Sequence, residues 1–144
     1  MFECVFLGIA VSICVYDIKY RSIKNEILFF LLLTSMLITS NDIDKIVLSV
    51  FISSLIAFAL YIAHIWGGGD SKLLIALSPL FLPQQIPDFI VATLLCGGML
   101  SFFYWTKYRV VSKNIPDKGL PYGVAIVSGA NLSLYFSQGL PIYS

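Results

Sequence analysis

The chain has 144 residues, 58% of them hydrophobic and 12% charged, with a formal net charge of +1 and a mean hydropathy of +0.89. Soluble domains carry roughly 45–50% apolar residues, so this composition excludes a soluble enzyme and identifies an integral membrane protein. Charge this close to balance also excludes a nucleic-acid partner, which needs a large, water-facing basic surface; the partner that the composition implies is the lipid bilayer.

Charged residues gather at 17–26, 41–45, 70–72 and 107–118, and the stretches between are almost uncharged. That pattern predicts an all-α bundle of six transmembrane helices forming one domain over residues 1–144. The first segment, 2–16, has the length of a signal peptide but carries Glu3 in place of a basic leader and lacks a small-residue cleavage pattern, so it reads as a retained helix. The second covers 26–40. The third, 45–66, alone has the full length of a simple span. The fourth, 71–86, is interrupted by Pro79 and Pro83, which makes its C-terminal half irregular. The fifth covers 88–105, and the sixth, 121–138, opens on Pro121, a normal helix start. Gly119 and Gly123 add a Gly-x-x-x-Gly spacing suited to close helix packing.

Lysine and arginine bias sets the orientation. With the N-terminus outside, eight of the nine basic residues face the cytoplasm, and only Lys45 lies outside, together with Glu3, Asp42, Asp44 and Asp88. Both termini are then outside, and Asp17 and Asp70 fall at the cytoplasmic face.

Asp70 follows Gly67, Gly68 and Gly69 between two apolar segments. A carboxylate in or beside hydrocarbon costs roughly 2.5–3.5 kcal/mol on insertion scales, so such an acid is a functional candidate. Each glycine lowers helix stability by about 1 kcal/mol relative to alanine, and an irregular, unpaired backbone edge is expected over 67–69. The plain alternative is a helix break capped by Asp70. Asp17, at the end of the first segment, reaches the same depth and face. Two carboxylates that meet cannot both ionise easily, so one keeps a proton while the other is charged. An aspartic protease uses that division: the ionised acid takes a proton from water while the protonated one hydrogen-bonds the scissile carbonyl. Asp70, at a helix N-terminus, is expected to be the resting carboxylate, and Asp17, at a C-terminus, the protonated partner.

Gly67-x-Gly69-Asp70 with Ser71-Lys72-Leu73-Leu74, Asp17 with Arg21 and Asn25 four and eight positions on, and Leu120-Pro121-Tyr122-Gly123 together resemble the type IV prepilin peptidases. The likeness is closest to the short single-domain forms serving Flp-type (Tad) pili and covers essentially the whole chain. More distantly, Tyr16-Asp17 with the Gly-x-Gly-Asp element resembles presenilin and the archaeal preflagellin peptidases. The resemblance implies a membrane aspartic endopeptidase of the bacterial inner membrane. Such an enzyme removes the short leader of prepilins or pseudopilins at the cytoplasmic face, cutting after a glycine, with Asp17 and Asp70 as the catalytic pair and no metal or other cofactor. It also implies a site-shaping role for the proline-containing loop at Pro121. Lys24 departs from the proline that many relatives carry before the asparagine, and Pro79 follows the motif unusually soon. The long forms add a cytoplasmic domain with paired cysteines and methylate their product. Cys4, Cys14 and Cys96 are isolated in apolar runs and read as packing residues, so methylation is not expected.

Lys72 and Lys19 each lie two residues after an aspartate, and both charge tuning and positive-inside anchoring account for them. His64, the only histidine, reads as buried and hydrogen-bonded or interfacial, because no second ligand or nucleophile accompanies it. Residues 107–118 read as an interfacial aromatic and basic belt; Glu26 and Asp117 suit a basic leader better electrostatically. Two other classes compete with proteolysis. A proton or cation carrier would place its acids near midplane within repeats, and neither is seen. A noncatalytic assembly subunit would tolerate loss of both aspartates. No oligomeric state follows from the sequence.

Overall fold

A computed structural model describes residues 2–20, 23–111 and 121–139, with side chains over 8–20, 23–107 and 121–137. Six α-helices account for most of it: α1 (Phe2–Tyr20), α2 (Asn25–Ile38), α3 (Ile43–Ile62), α4 (Gly68–Leu77), α5 (Ile86–Val111) and α6 (Tyr122–Gly139). Arg21, Arg109, Lys113, Asp117, Lys118, Gly119 and Leu120 lie outside the described residues or side chains, as do the side chains of Glu3 and Cys4.

The molecule is built inside out. Leu48, Phe51, Leu55 and Phe58 of α3 and Leu95, Met99, Phe102 and Phe103 of α5 are exposed, while Ser35, Ser49, Ser53, Ser78 and Thr93 have no exposed surface. In water an apolar exterior of this extent would drive association; in hydrocarbon it has no cost, and small buried residues let helix backbones approach closely. The buried stripe of α3, Ile46, Ser49, Ser53 and Ala57, is of that kind. Gly129 of α6 lies so close to α5 that a Cβ there would stand 2.6 Å from the backbone of Thr93. Among the described residues two helices, Ile43–Ile62 and Pro83–Lys107, are long and apolar enough to cross a membrane, and Asn25–Ile38 is a shorter apolar helix.

The fourth segment has the irregular C-terminal half that its prolines predict. Its helix ends at Leu77, and two short 3-10 turns, Ser78–Leu80 and Pro83–Gln85, replace the anticipated continuation to 86. Proline is the cause: Pro79 and Pro83 each open one of these turns, removing an N–H and fixing φ. The broken backbone is nonetheless buried, and side chains from neighbouring elements satisfy it. Ser35 donates to the Ala76 carbonyl and Ser49 to the Phe81 carbonyl, both at 2.8 Å. The Leu82 N–H donates to Gln85 Oε1 at 3.0 Å. Phe81 stacks on Phe89 at 4.4 Å. Irregular backbone is tolerated away from water when it is enclosed by protein in this way.

The third helix ends at Ile62 rather than 66. The next residues form a Schellman stop: Ile65 N–H donates to the Leu60 carbonyl and His64 N–H to the Tyr61 carbonyl, both at 3.1 Å. His64 takes the left-handed position of that motif, with φ of 55°. It is exposed, which corrects the buried alternative and assigns the residue a turn role.

Candidate active site

The end of α1, the turn from α3 to α4 and the start of α6 meet at one end of the bundle. Gly69 lies against Ile23 at 3.9 Å, measured from the Cβ an alanine would have. Trp66 faces Tyr122 with ring centroids 6.3 Å apart, and the Gly123 N–H donates to Asp17 Oδ2 at 2.7 Å. Residues of α1, α4 and α6, with Ile23 and Trp66 from the connections, thus surround the two acids.

Asp17 lies one turn before the end of α1, which runs to Tyr20 rather than stopping at 16. It is only 6% exposed. Its carboxylate meets the N-terminus of α6, where free N–H groups and the helix dipole favour negative charge. Gly123 makes that approach possible. A Cβ there would stand 2.8 Å from Asp17 Oδ2 and 3.1 Å from its Cγ, so any larger residue pushes the carboxylate off the amide. The buried Pro121 stands just before this turn, its carbonyl accepting from the Val124 N–H at 3.3 Å.

Asp70 is the third residue of α4, with Gly67 as the extended N-cap at φ −77° and ψ 162°. Its Oδ2 accepts from the Gly67 N–H at 3.2 Å. That is the half of a capping box which an N-cap without a side chain permits. Gly68 and Gly69 are helical, which corrects the expectation of an irregular edge over all three glycines; the irregular stretch is 63–67. In α4 the first-turn N–H groups, not a ragged loop, are the backbone groups without intrahelical partners.

Asp70 lies outside both long apolar helices. Burial pushes its carboxyl up to about 6; the Gly67 N–H works against that rise, and the charge of Asp17 adds to it. At Asp70 burial is the larger effect, ahead of the favourable backbone N–H. Asp17 and Asp70 therefore stand close enough to influence each other's ionisation, from helices 53 positions apart in sequence (70 minus 17).

Lys72 Nζ donates to Asn25 Oδ1 at 3.0 Å, tying α4 to the start of α2. Lys24 lies over the Tyr16 ring at 5.7 Å, so the residue standing in place of proline packs along the end of α1. Glu26 is exposed in the first turn of α2. Sequence reading missed Trp66 and Gly97, which lie beside Tyr122; nothing in local spacing marks them, because their neighbour is distant in the chain.

The model of the type IV leader peptidase family matches residues 4–102, including Asp17 and Gly67 to Asp70. No curated protein and no solved structure gave a match.

Proposed function

The chain belongs to the type IV leader peptidase family, and from that membership we propose that it is an aspartic endopeptidase that removes the leader of Flp-type prepilins or pseudopilins, with Asp17 and Asp70 as its dyad. One observation carries the choice of residues. Two acids from separate helices converge at one end of the bundle, each held by a glycine N–H, and Asp17 is near enough to raise the pKa of Asp70.

The dyad works with one shared proton. One carboxylate, ionised, acts as the base, and the other carries the proton; both are held by a glycine N–H, and burial raises the pKa of Asp70. Water attacks the scissile carbonyl carbon as the ionised acid takes one of its protons and the protonated acid gives its proton to the carbonyl oxygen. The resulting gem-diol collapses, the C–N bond breaks, and the amine leaves with a proton from the dyad. No acyl-enzyme forms.

Six membrane passages with both termini outside place this end of the bundle at the cytoplasmic face of the inner membrane, where lysine and arginine concentrate.

The test is co-expression with a candidate prepilin, following leader removal by Asp17→Asn and Asp70→Asn variants at equal membrane levels. Each substitution is expected to abolish cleavage, lowering it by at least about a thousandfold, in line with loss of a group that acts on reacting atoms. Cleavage that survives in either variant rules out the dyad.

A further inference from the structure

The two glycines that hold the acids share a second feature. Gly67, donor to Asp70, is preceded by Trp66; Gly123, donor to Asp17, is preceded by Tyr122. Those two aromatic rings face each other at 6.3 Å. Trp66 is 4% exposed, with no hydrogen-bond partner for Nε1 among the described residues, so packing is the contact that its indole makes here. Tyr122 is seated on α5 at the buried Gly97: a Cβ there would stand 3.0 Å from the Tyr122 Cε1 and 3.2 Å from its Cζ and hydroxyl oxygen. The neighbouring Gly98 faces open space, with nothing within 4 Å of an added Cβ.

We propose that Trp66 and Tyr122, seated on Gly97, form a strut that sets the separation of the two acids, and that Trp66, Tyr122 and Gly97 are positioning residues for the dyad. The inference rests on the protease reading above. Each ring is one residue from the amide that orients an acid, so displacement of either ring moves a donor. A carboxylate displaced by about 1 Å from its working position costs on the order of a hundredfold in rate, and the partial shift forced by one methyl group costs less.

The test compares Gly97→Ala with Gly98→Ala in purified full-length protein, measuring kcat and KM on a prepilin and amide hydrogen exchange over residues 66–70 and 122–124. Gly97→Ala is expected to lower kcat by about tenfold with KM within about twofold, and to speed exchange in both segments. Gly98→Ala is expected to match the wild type in all three. Tyr122→Phe keeps the ring and is expected to keep the rate, whereas Tyr122→Ala loses it. Adding Gly97→Ala to Tyr122→Ala is expected to cost less than about twofold more, since the crowded ring is gone. Wild-type kcat in Gly97→Ala, losses that multiply in the double variant, or inactivity of Tyr122→Phe equal to that of Tyr122→Ala overturns the strut. If Gly97→Ala fails to accumulate, Trp66→Leu reads the same outcome from the other ring, with slower turnover and faster exchange at 122–124 expected and unchanged values overturning the proposal. A wild type that cleaves no prepilin refutes the protease reading instead, and the exchange data then still decide whether the two turns are coupled.

Discussion

Asp70 is a residue that the fold holds at a cost. Its carboxyl has a pKa of about 6 against an ordinary value of 3.8, so the native state binds this proton more tightly than the unfolded chain does. Between those two values the native protein keeps a proton that the unfolded chain has released. Stability therefore falls as pH rises from about 4 to 6 and stays lowered above that. Solvent screening of a part-buried group leaves an effect on the order of 1 kcal/mol. Asp70→Asn, whose amide oxygen still accepts from Gly67, is expected to melt higher than wild type at pH 7 and together with it near pH 4. Thermal unfolding in one detergent at both pH values checks this, and equal melting at pH 7 would contradict it. Both acids were legible in the sequence, because a carboxylate between apolar segments has few structural explanations. The rise in the pKa of Asp70 was not legible: a helix terminus is a local feature, whereas burial depends on neighbours from other helices.

At the scale of elements, the proline-broken α4 and the stop after α3 decide where Asp70 lands. The break was foreseeable from Pro79 and Pro83, but the hydroxyls that satisfy it were not. Ser35 and Ser49 lie 41 and 32 positions from the carbonyls they bond, and such pairings emerge only once helices pack. His64 shows the same limit from the other side. Its sequence context suggested burial or an interface, yet the backbone assigns it to the left-handed turn position, where a residue with a Cβ is strained by about 1 kcal/mol or more. His64→Gly is expected to raise unfolding stability by about 1 kcal/mol while leaving cleavage within about twofold of wild type. A stability loss would show that the imidazole contributes contacts outweighing the strain. The paired rings of Trp66 and Tyr122 were hidden for a related reason: the motif reading stopped at the glycines, and each ring is the residue before one.

For the molecule as a whole, hydropathy gave six helices in the right order, with boundaries displaced by up to nine residues at the end of α4 (86 against 77). Topology is the part that sequence argues by charge and that helix packing does not itself report. It can be measured directly. In a background with Cys4, Cys14 and Cys96 replaced by serine, a single cysteine at Lys45 is expected to react with an impermeant maleimide on intact cells. One at Lys19 is expected to react only after the membrane is opened. The reverse pattern would invert the orientation and move the acids to the outer face. Activity must be retained in the cysteine-free background for the result to apply to the working enzyme.

The serine hydroxyls around the α4 break carry one more consequence. They fasten the chain at the end of the bundle remote from the acids, where Ser35, Ser49 and Asn41 meet the carbonyls of Ala76, Phe81 and Pro79. The buried hydroxyl contacts and the two acids thus occupy different ends of the same small protein. On the protease reading, a substitution beside Asp17 or Asp70 is felt by the dyad, whereas one at the hydroxyl-fastened end is felt by the packing of the α4 break.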